Sequence, residues 1–211
     1  MSYFTTALFI GFLSLDTTIA FQVLVSQPIF SCPIIGLLLG NAPLGFEIGL
    51  LMQLIWLSSI PAGATSFPEG NLASMIVCAV MIYFEKLPEQ NILLTLTFLF
   101  GILVSYLGAS VTELDRRING KLLNLINREA DEGKVHQITI LEGGSILIYF
   151  LLMSALAYVS LNVAAWAIAG LQGMMAADLD AKLVIIKPVI LGLGFGLTWP
   201  MFFKALRINS K

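Results

Sequence analysis

Asp16, Gln27, Gln53 and Glu69 each put a polar group inside a stretch that is otherwise predominantly apolar. A carboxylate accepts hydrogen bonds and a buried amide both donates and accepts, so groups of this kind suit recognition of a hydroxyl-bearing solute. Catalysis within this chain finds little support. No nucleophile stands at readable spacing from a base, and no glycine-rich phosphate loop occurs. The single histidine, His136, lies in a charged stretch without Cys or carboxylate partners at metal-ligand spacing, and reads as a solvated residue. No catalytic residue, metal or cofactor is expected.

Each polar residue also has a plainer reading. At mid-bilayer an ionised Asp16 costs about 2.5 to 3.5 kcal/mol, so it either faces a cavity or caps a helix starting in Ser14-Leu15-Asp16-Thr17-Thr18. Gln53 is a candidate for a solute hydroxyl, or for a hydrogen bond between helices. Glu47, between Gly45 and Gly49, is either a neutral carboxylic acid or one paired with a partner subunit within the segment, or a loop-end residue near the interface. Gln22 and Gln27 flank a break and face either a cavity or the interface. Residues 62–71 hold the strongest local signal: small residues permit close backbone approach, Pro68 fixes an extended turn, and Glu69 stands near the start of the next apolar helix. A surface turn of the same residues would leave Gln27, Gln53 and Glu69 apart.

The elements that must position these groups are apolar runs cut by helix breakers. Gln27-Pro28, Cys32-Pro33, Asn41-Ala42-Pro43, Ile60-Pro61 and Phe67-Pro68-Glu69-Gly70 interrupt segments of nearly spanning length. In hydrocarbon, backbone groups freed by such breaks are tolerated only in a protein-buried or watery cavity. Broken segments carrying Gln, Glu and Asn therefore describe a polar-solute pathway, concentrated in residues 16–74. Membrane elements are expected at 3–25, 29–39, 44–60, 72–84, 92–111, 145–170 and 183–203, the second and fourth too short to span alone.

Composition agrees. The 211 residues are 58% hydrophobic and 11% charged, against about 25% charged in soluble domains, and the mean hydropathy is +0.92. The expected fold class is all-α: a polytopic integral membrane protein with re-entrant or broken helices, one cytoplasmic amphipathic helix and a single membrane domain over 1–211. A formal charge of -2 without a basic patch excludes a nucleic-acid partner. The N-terminus lacks a basic n-region and a small-residue cleavage site, so it is kept as mature structure. Cys32 and Cys78 sit in apolar runs and read as buried free thiols. Lys and Arg concentrate in 113–136, which the positive-inside rule places in the cytoplasm. From just before it, Val111, Leu114, Ile118, Leu122, Leu125 and Ile126 form one apolar stripe, as on a helix lying on the inner membrane surface.

The chain resembles the membrane subunit IIC of mannose/sorbose-type phosphoenolpyruvate-dependent sugar phosphotransferase systems. The resemblance rests on Leu15-Asp16, Gln27-Pro28, Pro33-Ile-Ile-Gly-Leu-Leu-Leu-Gly-Asn41, Gly45-Phe-Glu-Ile-Gly49, Met52-Gln53-Leu54, Gly63-Ala64 and Pro68-Glu69. Arg128-Glu129-Ala130-Asp131-Glu132-Gly133 is similar to the family's Ala-Asp-x-x-x-Gly loop. It implies a permease subunit of the bacterial inner membrane that pairs with a second membrane subunit, IID, assembles as an oligomer in the lipid bilayer, and carries a hexose or related sugar. Phosphate would pass through soluble IIA and IIB, whose chemistry lies outside this chain. Gln27, Gln53 and Glu69 would contact the sugar, with Asp16 supporting the cavity. Gln53 stands where the family usually has a carboxylate, Glu69 where it usually has Asp, and the chain stops where family members continue. Two rivals remain on the sequence: a shortened regulatory or scaffold subunit of such a system, and an unrelated small-solute transporter.

Overall fold

A computed structural model describes residues 1–20, 22–58, 67–131, 133 and 135–208. The described residues form helices and turns without strands, in the order α1 (Tyr3–Thr18), α2 (Pro28–Leu39), α3 (Ala42–Trp56), α4 (Gly70–Tyr83), α5 (Gln90–Asp131), α6 (Val135–Leu171), α7 (Ala177–Lys182) and α8 (Ile186–Ile208). Short 3-10 turns at Gln172–Met174 and Leu183–Ile185 flank α7. Three of these helical stretches, Gln90–Asp131, Val135–Met174 and Ala177–Pro200, are long and apolar enough to cross a membrane. The fold is therefore all-α.

α4 sits at the centre. Every residue from Leu72 to Ile82 is buried, and a helix apolar on all sides belongs in the interior of a bundle. α2 and α3 form a tight antiparallel pair beside it. Their 12 and 15 residues reach only about 18 and 23 Å at 1.5 Å per residue, short of a hydrocarbon core of about 30 Å. Local sequence sets the pair: Pro28 opens α2, Gly40 closes it in the left-handed conformation (φ 101°), and the Asn41 side chain accepts from Leu44 N at 3.0 Å to cap α3. Glycine then sets the contact. A Cβ on Gly45 would lie 2.5 Å from the Cys32 carbonyl oxygen, and one on Gly49 2.5 Å from that of Pro28. Cys32 and Cys78 are free and buried, each thiol donating to a carbonyl, Ser74 O at 3.5 Å and Cys32 O at 3.4 Å.

Two expected segments take a different form. The run 3–25 is not one helix: α1 ends at Thr18, and Gln22 and Leu24 adopt left-handed φ of 50° and 69°. Asp16 lies in the last turn of α1 and does not open a helix; its carboxylate reaches forward to the turn beyond. The amphipathic stretch of 113–136 is not a separate helix either, because its stripe continues α5. At 42 residues, α5 extends about 63 Å, far more than the bilayer core. Its C-terminal part pairs with the start of α6 as a helical arm, where Ser145 Oγ donates to Asn119 Oδ1 at 2.8 Å; within α5 the Glu113–Arg117 ion pair at 2.6 Å and the Asn119–Asp115 hydrogen bond at 2.8 Å support the helix itself. At the other end of α5, Asp180 of α7 accepts from the free amides of Asn91 at 2.8 Å and Ile92 at 2.9 Å, binding α7 to the α5 N-terminus.

Candidate functional site

Asp16, Gln27, Gln53 and Glu69 line one cavity of about 840 Å³. They arrive from separate elements: the end of α1, the turn before α2, the interior of α3 and the residue before α4. Residues 59–66, which include Gly63-Ala64 and half of the 62–71 signal, lie outside the described residues. Phe67, Pro68, Glu69, Gly70 and Asn71 are described, and all line the cavity.

Asp16 is 6% exposed. Its Oδ1 accepts from Val23 N at 2.7 Å and its Oδ2 from Ser26 N at 2.9 Å. The carboxylate thus organises the 22–27 turn, in which two non-glycine residues hold positive φ at an energetic cost. Asn71 Nδ2 donates to Ser26 Oγ at 3.2 Å and ties this turn to α4.

Gln53 serves the next break. Its Nε2 donates to Gln27 Oε1 at 3.0 Å, and its Oε1 accepts from Ile29 N at 3.2 Å, one of the free amides in the first turn of α2. The sequence alternatives for Gln53, cavity group or interhelix bond, coexist in one side chain. The Gln27 amide nitrogen takes no part in that pair, and the residue lines the cavity.

Glu69 is 2% exposed and precedes α4 without capping it. Its side chain turns to α5 instead, where Thr112 Oγ1 donates to Oε1 at 2.6 Å, and its backbone N donates to Ser105 O at 2.9 Å. Gly108 makes room: a Cβ there would lie 2.6 Å from Glu69 Cβ. Trp56 packs over Gly70, where a Cβ would come within 2.3 Å of the indole. Its Nε1 is buried without a hydrogen-bond partner among the described residues, and the residue lines the cavity.

Sequence reasoning treated Arg116 only as part of a charged stretch, and passed over Ser26, Trp56 and Thr112. Arg116 lines the same cavity. The signal that locates it is the row of Gly101, Ser105, Gly108 and Thr112 along one face of α5, all buried, which points to a close helix contact continuing toward position 116. Two residues left open by the sequence also find places. Glu47 pairs with Lys187, joining α3 to α8. Gln22 is exposed and lines the cavity mouth. Among the described residues no cluster of His, Cys, Asp and Glu has metal-binding geometry.

A family model for the sorbose-specific IIC component of the phosphotransferase system matches residues 1–207. Curated sorbose-specific EIIC components are similar in sequence. That of Lacticaseibacillus casei is 27% identical over 128 residues, covering 61% of this chain and 44% of the relative. That of Klebsiella pneumoniae is 27% identical over 115 residues, covering 54% of this chain and 41% of the relative. The match thus spans less than half the length of either relative. A solved chain described as "Structure of membrane protein" has the same fold, with a TM-score of 0.72 at 19% identity over 99% of this chain and 84% of that one.

Proposed function

This chain belongs to the sorbose-specific IIC family of phosphotransferase-system components, multi-pass proteins of the membrane, and on that premise we propose that it translocates a hexose or related sugar through the cavity bounded by Asp16, Gln27, Gln53 and Glu69. One observation carries the reading. Polar groups from four separate elements line one cavity.

The cavity suits a neutral polyol. It offers acceptors at Glu69, a donor at the Gln27 amide, and an indole and aliphatic side chains for the C–H faces of a ring. At about 840 Å³ it is within the usual range for small-molecule sites. Asp16 and Gln53 work mainly on the protein itself. They satisfy backbone amides of the two breaks, so the chain can depart from helix geometry where the sugar must pass.

In this reading the chain forms one membrane unit, pairs with a IID subunit, and hands its sugar to a IIB subunit charged by IIA. Phosphoryl chemistry then resides on the partners. The test is sugar binding by the purified assembly of this chain with its IID neighbour, over a panel of hexoses and amino sugars. Glu69→Ala is expected to abolish protection against thermal unfolding by the bound sugar while leaving assembly intact. Unchanged protection would remove Glu69 from the site.

A further inference from the structure

A second cavity, of about 650 Å³, lies between α5 and α6 on the arm side of the first. Its polar wall is Asp115, Arg116, Asn119, Glu142 and Ser145, and its apolar wall includes Leu122 and Tyr149. Asp115 is 2% exposed. Its Oδ2 accepts from Asn119 Nδ2 at 2.8 Å, while its Oδ1 is buried with no hydrogen-bond partner among the described residues. A buried carboxylate oxygen without a donor costs free energy that a donor arriving from the cavity would recover.

The two cavities adjoin. Arg116 lines both, together with a small gap of about 10 Å³ between them that is also bordered by Glu69 and Thr112. Glu69 borders the first cavity, Thr112 borders the second, and the 2.6 Å hydrogen bond joins one to the other. That bond is the partition.

We propose that the second cavity is a further binding station for the same sugar, separated from the first by the Glu69–Thr112 hydrogen bond. This rests on the sugar-permease reading of the first cavity. The chemistry selects a neutral hydroxyl-bearing ligand. Asp115 and Glu142 disfavour an anion, Arg116 on the same wall disfavours a cation, and a polyol supplies the hydrogen-bond donor that Asp115 Oδ1 lacks while laying its C–H face on the apolar side. A sugar leaving the first station toward the arm passes Arg116 without losing polar contact.

The experiment is cysteine protection in the assembled membrane complex. Leu57→Cys reports on the first cavity and Leu122→Cys on the second; the native thiols of Cys32 and Cys78 are fully buried. Maleimide labelling is followed with and without each sugar of the panel. The bound sugar is expected to slow labelling at both positions. Asp115→Asn, which keeps an acceptor for Asn119, is expected to remove protection at position 122 and leave it at 57. Retained protection at 57 also shows that the variant is folded. Protection at 57 with none at 122, or protection at 122 that survives Asp115→Asn, overturns the second station and leaves the permease reading standing. Protection at neither position with any sugar overturns both.

Discussion

At the scale of single residues, Asp16 and Gln53 hold backbone amides of the two breaks while they line the first cavity with Gln27 and Glu69. Asp16 holds two backbone amides of a turn that contains two left-handed non-glycine residues. Hydrogen bonds to a charged group contribute about 1.5 to 3 kcal/mol each, so Asp16→Ala is expected to lower stability by about 2 kcal/mol or more. The melting temperature of the purified protein checks this, and sugar binding should fall with it because the turn forms the cavity wall. Glu47→Gln is the contrasting case. Its ion pair with Lys187 is nearly half exposed on both sides, and exposed pairs contribute about 0 to 1 kcal/mol. The same assay should show almost no change. Gln27, Gln53 and Glu69 were legible one by one, because each breaks an apolar run. The Gln53–Gln27 bond and the turn of Glu69 toward Thr112 were not, since they join residues 26 and 43 positions apart, a distance that no local pattern spans.

At the scale of elements, α2 and α3 were readable because their boundaries use local chemistry: Pro28, Gly40 in the left-handed conformation, and the Asn41 cap. The length of α5 was not. Charged residues from Glu113 onward end the hydropathy signal, although i,i+4 contacts carry the helix on to Asp131. Glycine gives the sharpest test of the α2–α3 contact. Gly49→Leu places a side chain against the Pro28 carbonyl, 2.5 Å from its first carbon. Overpacking of this kind costs about 1 to 3 kcal/mol or more, and the melting temperature should drop accordingly. Gly120, in the α5 arm, has nothing within 4 Å of an added Cβ. There Gly→Ala is expected to stabilise slightly, by up to about 1 kcal/mol through helix propensity. Destabilisation at position 120 equal to that at 49 would argue against the contact geometry.

At the scale of the molecule, the core α4 is surrounded by short helices on one side and by the long α5–α6 hairpin on the other. The hairpin arm carries a concentration of basic residues, from which we propose a cytoplasmic arm, with α7 and the α5 N-terminus that it binds at the outer face. A cysteine at Lys121, exposed on the arm, should resist an impermeant reagent in intact cells and react after permeabilisation. Asn119 is a poorer probe, because it bonds both Asp115 and Ser145. Labelling of Lys121→Cys from outside would invert the topology. The central claim concerns transport, and phosphoenolpyruvate-dependent phosphorylation of radiolabelled hexoses and amino sugars tests it most directly. Membranes would contain this chain and its IID neighbour, with the soluble phosphocarriers supplied. The account predicts a sugar phosphate that forms only when this chain is present and is lost with Glu69→Ala. Product that forms equally without the chain, or no product from any sugar although the chain assembles with IID, would contradict it.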